Sequence, residues 1–149
     1  MKVLFLGNDA SRSGAPIGLL EFVRWLLSSA NKQAHLALSA GGPLCADYRA
    51  VAPTIVLRGM DGAGRLARGA GRGVGLARRL GVAGGAQGRL EARVLGELCR
   101  DVDVIYANTI VATGPLLRVP PRLPAVLHLH EMGSSLRWLA DGLADEAGL

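Results

Sequence analysis

Apolar residues follow two different spacings along the chain, and the change of spacing separates strands from helices. Val3 to Leu6 is a short unbroken apolar run, the pattern of a strand covered on both faces. Leu19, Leu20, Val23, Leu26 and Leu27 then recur at three- and four-residue steps, which predicts a helix with one apolar face. Between the two, Ser13-Gly14-Ala15-Pro16 supplies a permissive glycine and a proline suited to a first helical turn. Ala34 to Ser39 predicts a second strand, closed by Gly41-Gly42-Pro43. Leu44 to Ala52 suits a short helix ended by Pro53, and Thr54 to Leu57 a third strand. The order βαβαβ predicts a parallel sheet with right-handed crossovers.

This pattern breaks between Gly59 and Gly88. Gly62, Gly64, Gly69, Gly71, Gly73 and Gly75 disfavour a helix in the first half of that stretch. Arg65, Arg68, Arg72, Arg78 and Arg79 stand there against a single acid, Asp61. Helical spacing returns over Arg89 to Arg100, with Leu90, Val94, Leu95 and Leu98 on one face. Asp103 to Tyr106 predicts a fourth strand with the polar tip Ala107-Asn108-Thr109, and Ile110 to Leu117 a helix. Pro120, Pro121 and Pro124 precede a fifth strand, Ala125 to His130, and Met132 to Gly148 suits a final helix. The expectation is an α/β, Rossmann-like three-layer domain with a parallel sheet of about five or more strands between helices.

Composition narrows the setting. At 149 residues and 50% apolar content the chain suits one globular domain. It has no apolar run of membrane-spanning length, and too few apolar residues follow Lys2 for a signal peptide. Cys45 and Cys99 lack metal-like spacing and read as buried, reduced thiols, which fits a cytoplasmic protein. The net charge of +5 suits nucleic acid, an anionic membrane or a phosphorylated ligand, and equally a simple compositional bias. No aromatic residue is interleaved in the arginine cluster, so no specific nucleic-acid partner is expected. An anionic membrane surface or a phosphorylated acceptor fits that cluster better, and a solvated excursion is the simplest account of it.

Candidate chemistry lies at strand ends. In the loop after Leu6, glycines fall only at Gly7 and Gly14, which does not satisfy the dinucleotide fingerprint, and no Gly-Lys-Ser/Thr follows to make a phosphate loop. A helix start at Ser13, Gly14 and Ala15 remains. Its amides and dipole would face the place where open α/β sheets bind ligands, often phosphates; a tight turn without a ligand explains the same residues. Asn108 and Thr109 can hydrogen-bond a ligand, although capping the next helix is the simpler role for Asn108. His128 and His130 alternate to one side of their strand. A metal there needs a third ligand, and His35 belongs to another strand, so none is expected. His130, followed by Glu131, suits hydrogen-bonding to a polyol or sugar; Glu131 equally suits a helix N-terminus.

Ser13-Gly14-Ala15-Pro16, Tyr106-Ala107-Asn108-Thr109 and His128-Leu129-His130-Glu131 fall in order at the ends of the first, fourth and fifth strands. With Asn8 to Arg12, Gly41-Gly42-Pro43-Leu44 and Asp103-Val104-Ile105, they resemble the N-terminal domain of retaining glycosyltransferases of the GT-B type, family 4 (glycosyl transferase group 1). The resemblance covers most of the chain outside the arginine-rich excursion. It implies a two-domain enzyme that transfers a sugar from a nucleotide-sugar co-substrate, with no cofactor or metal. It also implies that Ser13, Gly14 and Ala15 approach the donor diphosphate, and that His130 contacts the donor sugar with Glu131 in the adjacent acidic place. Asn108, Thr109 and His128 would line the cleft for a sugar, lipid-linked or other small acceptor. The family's C-terminal nucleotide-binding domain, with its Glu-x7-Glu motif, has no counterpart before Leu149. The expectation is one half of a GT-B architecture, inactive without that domain or a separate donor-domain chain. The alternative is a stand-alone, non-catalytic binding module for a phosphorylated or carbohydrate ligand. Cytoplasmic location is expected, with peripheral contact at the inner membrane face through Arg65, Arg68, Arg72, Arg78 and Arg79.

Overall fold

The apolar run after Met1 forms strand β1, Lys2–Gly7, in a computed structural model that describes residues 1–57, 82–120 and 122–130. Helix α1 (Gly14–Ser28), strand β2 (Gln33–Leu38), helix α2 (Cys45–Val51) and strand β3 (Thr54–Val56) follow. Helix α3 (Val82–Leu98) leads to strand β4 (Val104–Asn108), a 3-10 turn (Ile110–Ala112), helix α4 (Thr113–Leu116) and strand β5 (Ala125–His128).

All pairings are parallel, and the strand order is β3-β2-β1-β4-β5. β1 is therefore central, and its alternation divides the interior into two cores. Val3 and Phe5 pack with Leu19, Leu20 and Val23 of α1 and with Tyr48 of α2. Leu4 and Leu6 pack on the other face with Leu95 of α3, Cys99 and Ile105. Each such buried Leu or Phe contributes roughly 1.5–3 kcal/mol relative to exposure. This accounts for a strand that is apolar from Val3 to Leu6 and for helices on both of its faces. The fold is the expected α/β, Rossmann-like three-layer arrangement.

The order also creates a reversal. From β1 the chain steps outward through β2 to β3, then returns to β4 and steps outward through β5 on the other side. The carboxyl ends of β1 and β4 flank this switch point, where an open α/β sheet leaves a crevice.

Several boundaries differ from expectation. α3 begins at Val82 rather than Arg89 and includes Gly84, Gly85 and Gly88. Its later turns are anchored by Leu95, which is buried beside Leu4 and Leu6. A helix nucleated there gains one hydrogen bond per added residue, enough to carry it through glycines that each cost about 1 kcal/mol relative to Ala. The helix expected over Ile110 to Leu117 is a 3-10 turn followed by the four-residue α4. Pro115 has no N–H to donate, which limits regular α-helical bonding. β5 stops at His128 instead of His130, because its partner β4 ends at Asn108 and the chain turns away at Thr109. Both thiols are free as expected, but only Cys99 is buried; Cys45 is half-buried. The arginine cluster, Glu131 and the helix expected over Met132 to Gly148 lie outside the described residues. Among the described residues, no helix is long and apolar enough to cross a membrane.

Candidate functional site

The loop after β1 is held by the loop after β2. The amides of Ser39, Ala40 and Leu44 donate to the carbonyl oxygens of Gly7, Asn8 and Ala10 at 2.8–2.9 Å. Gly42 lies so close that a Cβ there would stand 2.4 Å from the Ala10 carbonyl oxygen, a backbone atom that cannot step aside. Asp9 folds the loop locally: its Oδ1 accepts the Ser11 amide at 2.9 Å, and its Oδ2 accepts Asn8 Nδ2 at 3.2 Å. Ser13 enters α1 in an extended conformation and makes no side-chain cap; its hydroxyl instead meets that of Ser11 at 2.9 Å. Helix geometry gives the amides of Gly14 and Ala15 no acceptor within α1. The far side of this first turn is fixed by Tyr48, whose buried hydroxyl donates to the Pro16 carbonyl oxygen at 2.7 Å.

Across the switch point stands Asn108, which is 3% exposed. It does not cap the following helix, as its local preference suggests. Its Nδ2 donates to the Ala15 carbonyl oxygen at 3.3 Å, and its Oδ1 lies 2.9 Å from Nε2 of His130. Thr109 follows at φ 77°, ψ 162°, a region that is strained for a β-branched residue. The buried Thr109 hydroxyl has no hydrogen-bond partner.

These two loops enclose a cleft of about 180 Å³. Asn8, Asp9, Ser13, Ala15 and Pro16 line it on the β1 side, and Asn108, Thr109 and Val111 on the β4 side. Among the described residues, the lining carries one carboxylate and no basic side chain. It can offer hydrogen bonds to hydroxyl groups and, at the start of α1, a partial positive charge.

Of the residues read from the sequence, Ser13, Ala15, Asn108 and Thr109 meet at this cleft, with His130 bonded to Asn108 at its edge. Gly14 begins α1 beside them, and a Cβ on it would meet nothing within 4 Å. It is therefore not required by crowding inside the chain. His128 is not among the residues that line the cleft: its ring lies 4.1 Å from that of His130, and its Nδ1 meets the Tyr106 hydroxyl. Tyr106 is packed in turn by Phe5 and Phe22, and burial raises its phenol pKa, which favours the protonated donor. Sequence reasoning did not assign Asn8, Asp9 or Tyr106 to a site. The signal for the first two is a polar pair placed directly after an all-apolar strand. Among the described residues, no group of three or more His, Cys, Asp or Glu could hold a metal ion.

The chain matches no known protein-family model. It likewise matches no curated protein sequence. Among solved structures, Alr3699/HepE from Anabaena, crystallised in complex with UDP, aligns over 98% of the chain with a TM-score of 0.56 and 25% sequence identity. The fold is shared with a UDP-bound protein. The chain spans 35% of that neighbour's length, and its five-stranded parallel sheet is compatible with a GT-B-like glycosyltransferase fold.

Proposed function

We propose that this chain is the acceptor-side domain of a retaining, family 4 GT-B glycosyltransferase that moves a sugar from a nucleotide-sugar donor to a sugar, lipid-linked or other small acceptor. The observation that carries the proposal is a polar cleft at the β1/β4 switch point, in a domain whose fold matches that of the UDP-bound Alr3699/HepE. In this reading the Gly14 and Ala15 amides and the α1 dipole face the donor diphosphate. That partial positive charge opposes the negative charge that develops as the bond from the sugar to the diphosphate breaks. His130 contacts the donor sugar from its place against Asn108, and Glu131 occupies the acidic position next to it. Asn8, Asp9 and Ser13 present the acceptor and donor hydroxyls with hydrogen-bonding partners. A second domain, in the same polypeptide or a separate chain, holds the nucleotide. Transfer requires both substrates to be held together, so this domain is inactive by itself.

The direct test is calorimetric titration of the full gene product with UDP and a panel of nucleotide sugars, together with slow donor hydrolysis. Binding and hydrolysis of at least one nucleotide sugar are expected; neither with any donor sinks the proposal. One feature favours a second reading, a non-catalytic carbohydrate-binding module: among the described residues, the cleft lining has a carboxylate and no cation, a set better matched to hydroxyls than to phosphate. Saccharide binding without any response to UDP would favour that module. Residence in the cytoplasm, with the arginine cluster against an anionic membrane, belongs to the same proposal. Unchanged liposome co-sedimentation after replacing those arginines with serine would remove the membrane contact.

A further inference from the structure

We infer that Asn108 is a positioning residue: its amide fixes the His130 ring in the Nε2–H tautomer and ties that ring to the first turn of α1. The Ala15 carbonyl oxygen can only accept, so the group 3.3 Å away is the Asn108 amide nitrogen. The other end of the same amide, Oδ1, is thereby turned towards His130. An amide oxygen also only accepts, so the Nε2 atom 2.9 Å from it carries a proton. A flipped amide would set oxygen against oxygen at Ala15 and lose that bond. With Asn108 almost wholly buried, water offers little compensation.

Two consequences follow for the ring. In the neutral imidazole the lone pair is on Nδ1, and protonation adds the second proton there. The bond to Asn108 is therefore the same in both charge states. His128 reinforces this arrangement. Its Nδ1 meets the Tyr106 hydroxyl, and its ring packs on His130 at 4.1 Å. A single hydrogen-bond and stacking line thus runs from the start of α1 to the outer face of β5.

The value of such a lock to catalysis rests on the proposed glycosyltransferase reading, because it pre-sets the face of His130 offered to the donor sugar. The lock itself is testable without any substrate. Long-range proton–nitrogen NMR of the histidines, with His130 assigned by the loss of its signals in His130→Gln, reads the tautomer directly. In the neutral ring, wild type is expected to show a protonated Nε2 and an unprotonated Nδ1. Asn108→Asp retains an acceptor and should keep that pattern, whereas Asn108→Leu should give averaged tautomers. A wild-type ring protonated on Nδ1, or a tautomer unchanged in Asn108→Leu, overturns the inference. If Asn108→Leu does not fold, the wild-type spectrum still decides. UDP added to the wild-type sample separates the two ideas: an intact Nε2–H tautomer without UDP binding counts against the function, and an averaged tautomer with UDP binding counts against the lock.

Discussion

The Tyr48 hydroxyl donates to the Pro16 carbonyl oxygen at 2.7 Å and joins two helices whose contacting residues are 32 positions apart in sequence. It fixes the back of the α1 first turn, the turn whose front lines the cleft. Tyr48→Phe removes this bond and leaves the packing, so unfolding free energy should fall by about 1 kcal/mol in urea titration. Tyr48→Ala also opens a cavity and should cost roughly 3–5 kcal/mol.

The same hydroxyl gives stability a pH dependence. Burial pushes the Tyr48 phenol well above its ordinary value of 10.0, so the native state holds this proton more tightly than the unfolded chain does. The contribution is fully present below about pH 10 and is lost as pH rises beyond it. Urea midpoints measured from pH 8 upward should therefore decline above pH 10 in wild type, and less steeply in Tyr48→Phe.

Gly42→Ala drives a methyl group towards the Ala10 carbonyl oxygen, at 2.4 Å before any adjustment. The loop after β1 must move, at a cost of about 1–3 kcal/mol. Both the urea midpoint and the affinity of the cleft should fall, since Asn8, Asp9 and Ser13 move with that loop.

Local and distant determinants were unequally legible in the sequence. β1 could be read because burial on both faces makes every residue from Val3 to Leu6 apolar. The order of strand tips could be read because polar residues follow apolar runs. Asn108 was harder: its capping preference is local, while its actual partners, Ala15 and His130, lie 93 and 22 positions away. The start of α3 was obscured by its glycines, whose low propensity is outweighed by packing further along the helix. Nothing in the sequence near Thr109 announces a positive φ, since β-branched residues rarely adopt one.

Thr109 therefore marks a place where stability and site geometry oppose each other. Thr109→Gly relieves backbone strain and removes an unpartnered buried hydroxyl. The flexibility that glycine adds to the unfolded chain and the lost side-chain packing offset part of the gain. The expected net effect is a stabilisation of about 1 kcal/mol, read as a higher urea midpoint.

Gly14→Ala tests whether that position is kept small for a ligand. A Cβ there meets nothing within 4 Å, so the fold and thermal midpoint should be unaffected or slightly improved. The methyl stands beside the first-turn amides, and UDP affinity of the full gene product should drop by about tenfold, or 1.4 kcal/mol.

The central claim is that the cleft between the ends of β1 and β4 receives the donor's diphosphate. Its most direct measurement is the change in backbone amide NMR signals as UDP is added to the protein. The account predicts that the largest shifts fall on Ser13, Gly14, Ala15 and Ile17 and on Asn108 and Thr109, with Asn108 side-chain signals moving alongside them. Saturating UDP that leaves these signals in place, or moves only residues remote from the two loops, contradicts it.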